Sequence, residues 1–94
     1  MDILFRKDRK TNEVVAFIPE SIVNYGKILS YTHIGQHSEA SLEYYWETVK
    51  ATEEEYKPLL EELENIVYND DILTVKKRLN YDKLSDVWDY LRRK

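Results

Sequence analysis

Nine consecutive residues, Ser30-Tyr31-Thr32-His33-Ile34-Gly35-Gln36-His37-Ser38, hold the side chains of this chain best suited to chemistry. Both histidines lie here, and Tyr31, His33, Gln36, His37 and Ser38 surround a glycine at the end of an extended stretch. Three kinds of chemistry are open to such a set. Two imidazoles could ligate a metal, but zinc sites take three or four protein ligands, and the nearest further donors are Glu39 and Glu43. Ser30 or Ser38 could act as a nucleophile if a histidine and an orienting acid met it in space, which adjacency in sequence does not provide. Convergent polar groups beside aromatics could bind a ligand or a partner. The third reading asks least of the residues. Tyr31, His33, Gln36, His37 and Ser38 are therefore the candidate binding residues, and no catalytic residue, metal or cofactor is assigned. Gly35 is read as a structural turn in a left-handed or otherwise strained conformation. Gln36 and Ser38 are then expected to satisfy backbone groups where a strand ends, with Tyr31 and His33 sharing one strand face.

The elements that must position this segment can be read from pattern. Ile3 to Lys7 and Glu13 to Ile18 are β-compatible runs across a polar Asp8–Asn12 stretch, which predicts a hairpin. Pro19 stops the second strand. That strand is apolar on both faces, with Val14, Ala16 and Ile18 on one and Val15 and Phe17 on the other, so it should be central and covered on both sides. Lys27 to Ile34 is a third strand, bounded by Gly26 and Gly35, the only glycines of the chain. Leu42 to Lys50 carries a helical stripe (Leu42, Tyr45, Trp46, Val49) but a strand-favouring composition, and is read as a strand. Thr52 to Val67 is a helix opened by the capping box Thr52/Glu55 and disturbed by Pro58. Its outer face carries Glu54, Glu61, Glu62 and Glu64, and Phe5, Val15, Phe17, Tyr56, Leu60 and Leu63 should form the core. Ile72 to Leu79 alternates as a strand, with Leu73, Val75 and Leu79 on one side. A last helix, capped by Asn80 or Asp82, repeats Leu84, Val87, Trp88 and Leu91 and ends in Arg92, Arg93 and Lys94, where positive charge suits the helix dipole. The expected fold is α+β: a small, mostly antiparallel sheet of four to five strands packed on one main helix, with a C-terminal helix.

Composition narrows the function. The chain has 94 residues, as fits a single domain, with 43% hydrophobic residues and no Cys, which excludes a disulfide framework and thiol chemistry. The start Met1-Asp2-Ile3-Leu4-Phe5-Arg6 meets charge too early for a signal peptide, and no stretch approaches the roughly 18 apolar residues of a membrane span. The expected location is the cytoplasm. Charge is uneven along a chain of net charge −4: residues 1–37 carry five Lys/Arg against four Asp/Glu, residues 38–72 two against eleven, and residues 73–94 seven against three. Arg6, Lys7, Arg9 and Lys10 at the hairpin tip could join Lys76, Lys77 and Arg78 in a basic strip for phosphates. No G-x-S-x-G, H-E-x-x-H or phosphate loop is present. Neighbouring Tyr44, Tyr45 and Trp46 cannot all face inward from a strand, so some aromatic surface should be exposed, or covered by a partner or the last helix.

The Ser-Tyr-x-His-x-Gly-Gln-His stretch, Ser30 to His37, also resembles a group of small uncharacterised proteins encoded by bacteria and phages. The resemblance extends over residues 3–79, through Phe5-Arg6-Lys7, Val14 to Pro19, the Thr52/Glu55/Tyr56/Leu59/Glu62/Leu63 helix and Leu73/Val75/Lys77/Arg78. It leaves residues 80–94 as a C-terminal helical extension. The chain departs from the group where Val67, not glycine, precedes Tyr68. The resemblance implies a fold and a bacterial or phage setting, and no activity. Together these readings favour a non-enzymatic module for protein interaction or regulation. A nucleic-acid-binding accessory protein, and a small hydrolase or metal-dependent enzyme at the Gly35 region, are the alternatives.

Overall fold

In the computed structural model, which describes residues 1–21, 23–32 and 36–93, the first part of the chain is an antiparallel meander. Its strands are β1 (Asp2–Lys7), β2 (Val14–Ile18), β3 (Lys27–Thr32) and β4 (Gln36–Ser41). There follow α1 (Leu42–Glu47), β5 (Val49–Lys50), α2 (Glu53–Glu62), a π-helical turn (Leu63–Val67), β6 (Thr74–Lys76) and α3 (Tyr81–Arg93). The sheet runs β4-β3-β2-β1, and the outer edge of β1 is shared by two short strands. β5 pairs antiparallel with Arg6 and Lys7, and β6 pairs parallel with Asp2 to Leu4. The expected class holds, with one parallel pairing in an otherwise antiparallel sheet.

Turn chemistry explains the meander. Asp8 Oδ1 accepts the amides of Lys10 and Thr11, and Asn12 takes φ 63°, a left-handed conformation asparagine tolerates better than most residues. Gly26 sits at φ 79° just before β3, as its type suggested. Gly35 lies outside the described residues.

The double-sided apolar pattern of β2 sets the layers. Val15 and Phe17 join Leu4, Ile28 and Ala40 under Tyr45 of α1 and Leu84 of α3. Ala16 and Ile18 join Ile3, Phe5 and Tyr31 under Leu59 of α2 and Leu63. The sheet therefore has α2 on one face and α1 with α3 on the other. α3 is an integral part of this packing and not an appendage: Leu84 is buried, and Trp88 Nε1 donates to the Lys27 carbonyl at 3.2 Å. Asn80 caps it, its Oδ1 accepting the Lys83 amide at 3.2 Å. No described helix is long and apolar enough to cross a membrane.

Three expectations need correction. Residues 42–47 are helical, and only Val49 and Lys50 are strand. The helical stripe wins over composition because Ser41 ends β4 and caps the helix, its Oγ accepting the Tyr44 amide at 3.1 Å. Leu59, not Leu60, is the buried leucine of α2; Leu60 and Tyr56 are half-buried, although Tyr56 stacks on Phe5 with ring centroids 4.5 Å apart. The predicted 72–79 strand shrinks to Thr74–Lys76, and Leu79 does not share a side with Leu73 and Val75. Those two pack on the α2 layer, whereas the chain crosses the sheet edge and delivers Leu79 to the opposite layer.

α2 begins with the full capping box. Pro58 is tolerated because it faces solvent, so water can reach the backbone group left without its helical partner. The helix then widens, with the Tyr68 amide donating to the Leu63 carbonyl five residues back at 2.7 Å, and it ends without a glycine cap. Glu54, Glu61 and Glu64 are exposed, as expected, whereas Glu62 of the same expected outer face is half-buried and accepts the Tyr31 hydroxyl.

Glu55 ties this helix to β1. Lys7 Nζ lies 2.6 Å from its carboxylate. That bond, and then the Thr52 amide, hold the carboxyl far below its ordinary 4.5, at about 2. A lowered folded-state value gives stability that is complete above the unfolded-state value and lost as pH falls through the folded one. Between about pH 4.5 and 2, Glu55→Gln should therefore lose less stability than the wild type, as read in urea melts at stepped pH. Parallel acid limbs for the two proteins would show that the bond is not formed in solution.

Candidate functional site

The polar segment is carried by the β3–β4 hairpin, in which Tyr31 lies opposite His37, Ser30 opposite Ser38 and Thr32 opposite Gln36. Successive strand residues point to opposite faces, so the register divides the candidate residues into two sets. Tyr31 and His37 face the α2 layer. Tyr31 is 2% exposed, and its hydroxyl donates to the Glu62 carboxylate. The exposed His37 ring meets the Tyr31 ring edge-on, centroids 4.8 Å apart, and its Nε2 is hydrogen-bonded to the Tyr68 hydroxyl at 2.9 Å. Burial, then the Asp71 charge, raises the Tyr68 phenol above its ordinary value. His37 also lines a shallow open depression with Val23, Asn24, Leu29, Ser38 and Glu39.

Ser38 belongs to the other face. Its Oγ is 2.9 Å from Ser30 Oγ, which also contacts the Ser38 carbonyl at 3.1 Å. Gln36 and Ser38 are thus strand residues within a continuous register from Lys27/Ser41 to Thr32/Gln36, not the closing groups of an ended ladder. The sequence hid this because a strand at the rim of a sheet needs no apolar alternation, and QHSEAS has none. His33 and Gly35 lie outside the described residues. Among the described residues no three His, Asp or Glu side chains converge as metal ligands. The adjacent His37 and Ser38 point apart, which is the wrong geometry for an activated hydroxyl.

The basic strip does not assemble. Arg6 is 8% exposed: Nε donates to Thr48 Oγ1 at 3.0 Å, Nη2 to the Thr48 carbonyl at 2.6 Å, and the guanidinium lies 4.8 Å from the Tyr45 ring centroid. Lys7 is bound to Glu55. β6 runs along the end of β1 remote from the tip, so Lys76 and Lys77 instead join Lys50 at a groove of about 470 Å³ between β5 and β6.

Arg9 and Lys10 remain exposed, and beside them lies the feature the sequence reading only half found. Trp46 and Tyr81 stack with centroids 6.2 Å apart and planes 17° apart, while 56% and 48% exposed. Trp46 borders a depression of about 700 Å³ with Arg9, Lys10, Tyr44, Glu47 and Thr48. Tyr44 forms its wall: burial, then the hydrogen bond to Asp8 (2.8 Å), pushes its hydroxyl up to about 12, so it stays a donor. Exposure of part of the Tyr44-Tyr45-Trp46 run and its contact with the last helix agree with expectation. Tyr81 was missed, because it precedes the apolar repeat of α3 and meets Trp46 only in the folded chain. The chain matches no family model, no curated protein and no solved structure.

Proposed function

We propose that this chain is a non-enzymatic protein-interaction module and that it meets its partner through the Trp46–Tyr81 platform. The observation that carries the reading is two large rings, stacked on each other and each about half exposed, one of which, Trp46, stands at the rim of a depression bearing Arg9 and Lys10. Trp, Tyr and Arg dominate the energetics of protein interfaces, the two aromatics because they bury much area at little conformational cost. Among the described residues neither Arg9 nor Lys10 is ion-paired with a carboxylate, so the fitting partner is a polypeptide segment with an apolar anchor flanked by acidic residues. A cytoplasmic location belongs to the same proposal, as does a bacterial or phage setting, which rests on the sequence resemblance.

Rings beside cations would also suit stacked bases of single-stranded nucleic acid. The net charge of −4 and the acidic face of α2 favour the protein reading. The test is capture from the native host with immobilised protein, with and without nuclease, followed by mass spectrometry and titration of the recovered partner. The double variant Trp46→Ala/Tyr81→Ala, with native circular dichroism, should bind that partner at least ~30-fold more weakly, on the scale of interface anchors, while Glu61→Gln binds normally. Unchanged binding by the double variant would refute the platform. Capture abolished by nuclease would transfer the surface to nucleic acid.

A further inference from the structure

The two rims of the sheet are finished differently. On the β1 side, the rim is made of strands of two and three residues, β5 and β6, the short edges that resist further pairing. On the other side, β4 pairs all six of its residues inward with β3, and among the described residues no strand lies beyond it. Its sequence, Gln-His-Ser-Glu-Ala-Ser, has no Lys, Arg or Pro, and its register with β3 runs unbroken without a bulge. A six-residue strand with unpaired backbone groups and none of these protections is a template for another strand.

We infer that two copies of this chain associate through β4, antiparallel about a two-fold axis at Ser38, to form one continuous sheet. The choice of partner and register follows from charge and symmetry. A two-fold axis through the sheet keeps every side chain on its own face, so the axis must pass at a residue and not between two. Centred on Glu39, it would oppose two carboxylates. Centred on His37, it would carry Glu39 past the beginning of β4. Centred on Ser38, it pairs Gln36 with Ala40 and sets His37 of each copy opposite Glu39 of the other, twice, on the α2 face. With Nε2 bound to Tyr68, His37 Nδ1 can donate across the strands to the Glu39 carboxylate, and hydrogen-bonded cross-strand pairs stabilise such a ladder. The groups are prepared for it. The Asn24 amide and Nδ2 hold the Glu39 carboxylate at 2.9 and 3.0 Å. The Tyr68 hydroxyl fixes His37 through Nε2, and Nδ1 makes no hydrogen bond among the described residues. On the other face, Ser38 would extend the Ser30–Ser38 hydroxyl contact across the axis. The pairing leaves the Trp46–Tyr81 platform free, because that platform belongs to α1 and α3.

The full chain should show a concentration-dependent monomer–dimer equilibrium in sedimentation velocity. His37→Glu places two carboxylates at both cross-strand positions, Glu39→Lys replaces the acceptor with a second donor at both, and each should weaken dimerisation at least ~10-fold. Mixed one to one, they restore opposite charges and should form a heterodimer by native mass spectrometry. The chain lacks cysteine, so Ser38→Cys gives a second, register-specific reading: it should oxidise rapidly to a disulfide-linked dimer, while Gln36→Cys, facing Ala40, should not. A wild type that stays monomeric at millimolar concentration would overturn the inference. So would a dimer indifferent to both charge variants, or equal cross-linking at positions 36 and 38.

Discussion

Phe17→Ala is expected to destabilise the protein by about 3–5 kcal/mol, the usual cost of removing a fully buried aromatic ring. Phe17 has no solvent exposure and stands on β2, the strand covered on both faces. Its ring meets Tyr45 edge-on at 5.1 Å and Tyr44 at 6.3 Å, so its loss opens a void under α1 that a sheet held from both sides cannot collapse to fill. Stabilities of small domains are about 5–15 kcal/mol, so this single change consumes a large share. The measurement is a urea melt with the slope held as a check on two-state behaviour. Leu60→Ala, half-buried on α2, should cost only about 1–2 kcal/mol. If Phe17→Ala cost less than Leu60→Ala, the packing of α1 and α3 on that face would be wrong.

The second large effect is expected at Arg6. Its guanidinium is buried with a hydroxyl and a carbonyl for partners, and among the described residues no carboxylate pairs with it. It acts as a charged cap at the end of α1. Thr48 closes that helix through its own amide and hydroxyl to the Tyr45 carbonyl, at 3.2 and 2.5 Å, and Arg6 grips Thr48 from the sheet. Arg6→Ala should cost about 2–4 kcal/mol, combining charge-assisted hydrogen bonds with lost packing of the alkyl stem. Arg6→Lys should recover little of it, because an ammonium cannot reproduce the two-pronged contact. Near-ultraviolet circular dichroism should report the freed Tyr45 ring in both variants. A loss below about 0.5 kcal/mol in Arg6→Ala, the scale of ordinary surface changes, would mean that this arginine lies in solvent.

Arg6 also marks where reading from sequence stops. A charged residue followed by Lys7 and Asp8 reads as surface, and only the arrival of Thr48 and Tyr45 from 42 and 39 positions away makes its burial affordable. Features decided locally were legible: the β1–β2 hairpin, the central apolar strand, the Thr52/Glu55 cap, the Asn80 cap and the left-handed Gly26. Features decided by the meeting of distant parts were not. α1 was obscured by the strand-like composition of Tyr44-Tyr45-Trp46, since Ser41 is a cap only because β4 ends there. β4 gave no apolar signal because only Ala40 of its side chains is buried among those described. In the Tyr31–Ser38 segment, the division of Tyr31 and His37 from Ser38 between opposite faces required the strand register.

The placement of β6 beside β1 bears on how the chain is made. The terminal ammonium donates to the Ile72 carbonyl at 2.9 Å, and the Met1 carbonyl accepts the Thr74 amide at 2.9 Å. Met1 is therefore held by residues that follow it some 71 positions later in the chain. Contacts this distant in sequence form late, after the local hairpins. During translation the meander can assemble early, while the Asp2–Leu4 part of β1 keeps an unpaired side until residues 74–76 emerge. The nascent chain passes through a stage in which both rims of its sheet are open, and the arrival of residues 49–50 and then 74–76 closes one of them.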